Sequence, residues 1–223
     1  DLDAAKELNI KVLRAEGANA RGVAELALIH ILLLKRGLFG PTVALKRHEW
    51  QRTRGGEVEG LRLAVLGMGN IGSRVAVLAR DLGMNVIVHD PFPSERARKI
   101  EGISWFSFEE LLTEAEILTL HAPPAEDGRP VIGREQLQSM VPGVLIVNSA
   151  RASLVDDAAM LEALNSGHVA GYSVDAFAEE PPRNWELIDH PSVLATPHLG
   201  GYTEESVNRA AEAAVLNLLR GLK

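Results

Sequence analysis

The 223 residues are 46% hydrophobic and 24% charged, an ordinary composition for a soluble globular chain with a core of its own. Against 23 basic side chains stand 30 acidic ones, for a formal net charge of −7 without any Lys/Arg-rich block, which argues against a nucleic-acid or anionic-membrane partner. The absence of cysteine excludes disulfides, thiol catalysis and Cys-ligated zinc. The longest apolar stretch, Val23 to Leu34, is broken by Glu25 and His30 and falls short of the ~20 residues of a spanning helix.

The opening, DLDAAKELNI, carries neither an initiator Met nor a signal-like segment, so the chain is expected to be a fragment or a processed product. A short helix (2–8) and a strand, IKVLRA (10–15), are predicted first. NARGVAELALIHILLLKRG then reads as a helix with Asn19 as its N-cap and Gly37 at its end. A polar stretch containing Trp50 follows, and nothing before residue 61 makes a domain alone.

From residue 61 the pattern alternates. LRLAVLG (61–67) is a strand candidate, NIGSRVAVLARDLG (70–83) an amphipathic helix and NVIVHD (85–90) a second strand. Helix-like EELLTEA, REQLQSM and DDAAMLEALNSG then alternate with strand-like EILTLH, VLIVNS, VAGYSVD and SVLATPH, and a last helix is predicted over 203–222. Continuous apolar strands separated by helices predict an α/β fold, a doubly wound parallel sheet covered on both faces. HAPPAEDGRPVIG (121–133) is expected to be a loop.

GMGNIG places Gly67, Gly69 and Gly72 in a G-x-G-x-x-G at a strand-to-helix junction, the geometry that cradles a dinucleotide's pyrophosphate on a helix N-terminus. Asp90 ends the next strand about 20 residues on, where a carboxylate accepts from the adenosine ribose hydroxyls, a placement that favours NAD over NADP. No nucleophile elbow, zincin, P-loop or EF-hand motif is present, and Glu186, His190 and His198 lack a further convergent ligand, so no metal is expected. His30, His48 and His168 read as core, surface and turn residues.

Polar residues recur at the carboxyl ends of successive predicted strands, where open α/β sheets bind ligands: Ser149, Ala150 and Arg151, then Asp175 and Glu180, then His198. An arginine, a carboxylate and an imidazole beside a nicotinamide suit hydride transfer between NAD and a 2-hydroxy acid. Arg151 would fork onto the substrate carboxylate and polarise the carbonyl, His198 would exchange the hydroxyl proton, and Glu180 would orient the ring.

These motifs, GANARGVAEL, GMGNIG with HDP, LHAP, VNSARASLVD, SVDAFAEEPP and TPHLGG, together resemble the D-isomer-specific 2-hydroxyacid dehydrogenase family, most of all its phosphoglycerate dehydrogenase branch. The resemblance covers essentially the whole chain. It implies a Rossmann-like NAD-binding domain over 17–223, with residues 1–16 a remnant of a flavodoxin-like substrate domain that is otherwise missing. It also implies Arg151, Glu180 and His198 as the catalytic trio and Asp175 at the nicotinamide carboxamide. Asn70 and Ile71 would face the pyrophosphate, Ala122 and Pro123 would line the adenine side, and Ser149 to Arg151 with His198 to Gly201 (Gly200 included) would surround the nicotinamide ribose. Ala152 departs from the family, which usually has glycine after the arginine, and PPAEDGRPVIG is unlike the usual stretch.

The leading expectation is a cytoplasmic NAD-dependent oxidoreductase acting on a 2-hydroxy or 2-oxo acid, a homodimer through helix 23–34 and the arm around Trp50. Alone, this chain is expected to be poorly active. The alternatives are a non-catalytic NAD-sensing module like the C-terminal-binding-protein corepressors, which would bind NAD equally, and an oligomerisation scaffold resting on that helix and Trp50.

Overall fold

The computed structural model describes residues 1–221. Its seven strands are β1 (Arg62–Leu66), β2 (Asn85–His89), β3 (Ile103–Trp105), β4 (Ile117–Leu120), β5 (Val144–Asn148), β6 (Val169–Val174) and β7 (Val193–Ala195). All pairs are parallel, in the order β3-β2-β1-β4-β5-β6-β7. The helices are α1 (Leu2–Glu7), α2 (Ala20–Arg36), α3 (Phe39–Lys46), α4 (Gly72–Asp81), α5 (Glu95–Arg98), α6 (Phe108–Glu114), α7 (Arg134–Ser139), α8 (Asp157–Asn165) and α9 (Glu204–Gly221). This is the doubly wound order of dinucleotide-binding folds with one strand added, and the winding reverses between β1 and β4, where such sheets bind ligands.

Strand periodicity divides the core. Leu63 and Val65 of β1 pack on one face with Ala24, Ala27 and Ile31 of α2 and Val75, Ala76 and Ala79 of α4. Ala64 and Leu66 pack on the other with α6, α7 and α8. Leu63, Leu118 and Ile146 are 0% exposed, each a burial that contributes roughly 1.5–3 kcal/mol. In α2 and α4 the buried positions recur at helical spacing, and α6 starts on a capping box between Ser107 and Glu110.

The first 60 residues depart most from expectation. Residues 10–15 form no strand: they are irregular and largely exposed and lie along α9, where Lys11 Nζ donates to the Gly221 carbonyl at 3.0 Å and Asn217 Nδ2 to that of Arg14 at 2.8 Å. The run's contacts are with the last helix rather than with an edge strand of the sheet, so its backbone joins no ladder. Asn19 sits at the head of α2 but its side chain makes no capping bond; Asn19 already has near-helical dihedrals, φ −94° and ψ 0°, unlike the extended backbone of a capping residue. Helices α3 and α5 and strand β3 were not predicted; each is short. The last helix is described from Glu204 to Gly221, headed by Thr203, whose hydroxyl accepts from Ser206 N; Leu222 of the predicted range lies outside the described residues. Among the described residues no helix is long and apolar enough to cross a membrane.

Candidate active site and cofactor cleft

Every strand end that the sequence singled out opens on the same edge of the parallel sheet. After β1 the chain turns at Gly67, whose φ of +93° suits glycine alone. A Cβ there would also lie 2.6 Å from the main chain of His121 and Ala122. At Gly72 a Cβ would stand 1.8 Å from the Gly67 carbonyl oxygen, so α4 starts against the loop only because that position is bare. Gly69 differs: nothing lies within 4 Å of where its Cβ would be. The protein's own packing therefore accounts for Gly67 and Gly72 but not for Gly69, whose bareness keeps the loop open to a ligand.

Asp90, directly after β2, fixes this loop. Its Oδ2 accepts from Met68 N at 2.7 Å and its Oδ1 from Phe92 N at 2.8 Å. The adjoining cleft, of ≈ 730 Å³, is lined by Gly69, Asn70 and Asp90 together with Arg21, Arg74 and Arg96. Three guanidinium groups beside a bare glycine turn suit a diphosphate. No motif singles out these arginines in the sequence, although Arg74 stands two residues past the glycine motif and Arg21 just after GANA. Ile71 turns its side chain into the core and does not line the cleft. Ala122 is half-buried and Pro123 exposed on the segment leaving β4, and neither lines the cleft that Asp90 lines.

Two buried polar atoms at this edge have no hydrogen-bond partner among the described residues: Ser149 Oγ after β5 and His121 Nδ1 after β4. Burial pushes the His121 imidazole down to about 3, so it is neutral near pH 7, with Nε2 2.9 Å from Thr119 Oγ1. Orphaned polar atoms beside a bare glycine turn fit a polar cofactor.

Asn148, the last residue of β5 and fully buried, shapes the next turn. Its Oδ1 accepts from Ala150 N at 3.1 Å and its Nδ2 donates to the Arg151 carbonyl at 2.9 Å. The exposed Arg151 guanidinium donates through Nη1 to the Ala150 carbonyl at 2.7 Å. Ala152 opens a short 3-10 turn, Ala152–Leu154, and is not among the residues with positive φ, so replacing the family's usual glycine brings no backbone strain.

Among the described residues His198 is one of three non-glycine residues with positive φ, at +53°, a conformation that persists in a non-glycine residue when its surroundings enforce it. Asp175, after β6 and 1% exposed, supplies the enforcement. Its Oδ1 accepts from Leu199 N at 2.7 Å and from Thr196 Oγ1 at 2.6 Å, and its Oδ2 accepts from Gly200 N at 2.8 Å. A Cβ at Gly201 would stand 2.9 Å from Asn19 Nδ2, so the turn also leans on the GANA segment. Glu180 reaches back so that both its oxygens lie on His198 Nδ1, at 2.7 and 2.9 Å. The His198 hydrogen bond, aided by one from Phe177 N and by the charge of Arg151, holds the Glu180 carboxyl below the usual range. An ionised carboxylate only accepts, so Nδ1 carries the hydrogen and Nε2 is the nitrogen left to exchange a proton. Arg151, Glu180 and His198 are thus brought together on one exposed rim, while Asp175 lies beneath them.

The family described as D-isomer specific 2-hydroxyacid dehydrogenase, NAD binding domain, matches residues 28–200. The chain belongs to this family. As a 2-hydroxyacid dehydrogenase NAD-binding domain it is similar to the D-3-phosphoglycerate dehydrogenase of Bacillus subtilis, 41% identical over 228 residues, a match that covers 100% of this chain and 43% of that protein. Among solved structures, D-2-hydroxyisocaproate dehydrogenase superposes with a TM-score of 0.92 at 27% identity, over 100% of this chain and 72% of that one. The D-lactate dehydrogenase of Aquifex aeolicus, complexed with NAD and lactic acid, superposes with a TM-score of 0.86 at 28% identity, over 99% of this chain and 73% of that one. The chain spans less than half the length of the Bacillus relative.

Proposed function

We propose that this NAD-binding domain belongs to an oxidoreductase that moves a hydride between NAD(H) and C2 of a D-2-hydroxy acid or its 2-oxo acid. The observation that carries the reading is the His198–Glu180 couple, which leaves Nε2 as the proton-exchanging nitrogen on the rim that Arg151 shares. Bound NAD(H) supplies or accepts the hydride. In the reducing direction the chain's own part is to hold the substrate carboxylate on Arg151, to polarise the 2-oxo group, and to deliver a proton from His198 Nε2 to the carbonyl oxygen as C2 gains the hydride. In the oxidising direction Nε2 takes the hydroxyl proton, and the Glu180 carboxylate stabilises the imidazolium that forms. Asp175 has one Oδ2 lone pair left for a nicotinamide carboxamide. Asp90 supports NAD over NADP, because a 2′-phosphate would meet its carboxylate as a like charge. The relatives' names support the reaction class rather than one acid.

His198 has a side chain 51% exposed and Arg151 stands in solvent, so the rim forms one wall of a reaction site and does not exclude water. The 223-residue chain therefore binds cofactor but turns over slowly. We assign residues 1–16, largely exposed, to the substrate domain, and residues 17–223, which contain the match over 28–200, to the NAD-binding domain. The reading includes a homodimer in the cytoplasm. Ile29 on the outer face of α2, Phe39 and Leu45 of α3, and Trp50 are 50%, 55%, 58% and 82% exposed, a continuous run of segments presenting apolar side chains to a second copy. A dimeric mass by light scattering at tens of micromolar is expected, and a monomeric one contradicts it.

The activity test follows NADH oxidation with glyoxylate, hydroxypyruvate, pyruvate and phosphohydroxypyruvate. Turnover of one or more, abolished in His198→Ala, supports the reading; turnover unaffected by that substitution contradicts it.

A further inference from the structure

The helical spacing of α2 puts residue 30 on its inner stripe with Ala27 and Ile31, and the residue there is a histidine, 1% exposed. A buried imidazole is costly unless both nitrogens find partners. Ser173 Oγ lies 2.7 Å from His30 Nδ1 and 3.0 Å from the Leu194 carbonyl. Thr196 Oγ1 lies 3.4 Å from His30 Nε2 and 2.6 Å from Asp175 Oδ1. Burial lowers the basicity of His30 and outweighs the opposing pull of the Asp175 charge, so the ring holds one hydrogen near neutral pH.

Where that hydrogen sits follows from counting. Thr196 has a single hydroxyl hydrogen, and the Asp175 carboxylate only accepts, so that hydrogen points to Asp175. Thr196 Oγ1 then offers His30 only lone pairs, and a lone pair on Nε2 would face them uncompensated. The hydrogen therefore sits on Nε2, Nδ1 is an acceptor, and the Ser173 hydroxyl turns to it rather than to the Leu194 carbonyl. The bonds run one way, from Ser173 to His30, from His30 to Thr196 and from Thr196 to Asp175. Asp175 in turn gathers the Leu199 and Gly200 N–H groups that hold His198 at positive φ.

We propose that His30, as its Nε2–H tautomer, is a positioning residue for the nicotinamide half of the site: through Thr196 it fixes the orientation of Asp175 and with it the turn that carries His198. The inference rests on the dehydrogenase reading for its purpose; the tautomer and relay rest on the hydrogen bonds around the ring together with its burial. The function of this relay is to keep one Asp175 lone pair aimed at the cofactor while the others stay on the His198 turn.

The test combines two readouts on the 223-residue chain. Nitrogen-15 NMR of the histidine rings, with His30 assigned by His30→Gln, is expected to show Nε2 protonated and Nδ1 unprotonated, and the pattern is expected to change in Thr196→Val. A protonated Nδ1 with a bare Nε2 overturns the proposal. In the second readout, His30→Leu is expected to retain its melting temperature or exceed it, since leucine suits the apolar stripe, while NADH binding weakens about three- to tenfold, the range one buried hydrogen bond carries. His30→Gln, able to accept from Ser173 and donate to Thr196, restores binding to within about twofold. Unchanged NADH affinity in His30→Leu overturns the positioning role. If the parent chain itself fails to bind NADH, the dehydrogenase reading fails, and the tautomer still decides the relay.

Discussion

At the β1 end of the cleft the chain presents main chain to a ligand, a turn held by glycines and tied down by Asp90, whereas at the β7 end it presents side chains on a turn held from below by the buried Asp175. The turn of the first end is made by two segments about 20 residues apart, the glycine loop and Asp90, with α2 contributing Arg21 to the cleft wall. The second needs α2, β5, β6 and β7 at once, since Asp175, Glu180, Thr196 and His198 meet only when β6 and β7 pair and His30 arrives from over 140 residues away. The difference teaches where each end is vulnerable: the β1 end to any added atom, the β7 end to any lost polar group.

The sharpest way to break that contrast is at the glycines. Gly72→Ala is expected to destabilise the fold by about 3 kcal/mol or more, because the new methyl meets the Gly67 carbonyl and neither backbone can yield without moving β1 or α4. Gly69→Ala is expected to melt with the parent and lose NAD binding, since its methyl projects into open space. Denaturant melts and calorimetry of the two variants decide it. Equal stability losses at both positions would remove the distinction between a packing glycine and a ligand-facing one.

At the other end, His198→Ala and Arg151→Ala are each expected to lower kcat/KM by about 10²-fold or more, the scale of a lost acid or electrostatic clamp. Their melting temperatures should hardly move, because both side chains are exposed. Steady-state kinetics beside a melt checks this, and a loss of rate that tracks a loss of stability would make these residues structural.

A pH-dependent effect belongs to His121, beside the glycine turn. His121 is neutral in the fold, its value pushed down to about 3 against the usual 6.5. Between those values the unfolded chain binds a proton that the folded chain refuses, so this contribution to stability is whole above pH 6.5 and is lost as pH falls towards 3. The slope approaches about 1.4 kcal/mol per pH unit for one such group. His121→Gln should flatten the stability profile between pH 6 and pH 4, measured by urea melts, and an unaltered slope would assign the acid sensitivity elsewhere.

How much of this was legible in the sequence follows the same division. GMGNIG and Asp90 could be read because close spacing encodes their geometry, and the alternation after residue 61 gave the parallel sheet because strand and helix periods differ. The apolar run 10–15 misled, since whether it becomes a strand depends on which partner it meets, and it lies against α9 rather than beside a sheet edge. Asn19 misled because a capping residue type does not fix a capping conformation. His198, Glu180 and Arg151 could be named from motifs, but not that Glu180 would fix the His198 tautomer or that Arg151 would rest on the Ala150 carbonyl. The roles of Asn148, Thr196 and His30 were invisible, because an isolated polar residue in an apolar run shows its partners only after folding.

The central claim is that this chain is an NAD-binding domain whose cleft is set for NAD by Asp90, and calorimetric titration of the 223-residue chain with NAD(H) and with NADP(H) at one ionic strength tests it most directly. The account predicts NAD(H) binding in the micromolar range and NADP(H) weaker by about tenfold or more, the penalty of setting a 2′-phosphate against a partly buried carboxylate. Equal affinities for the two cofactors would contradict it.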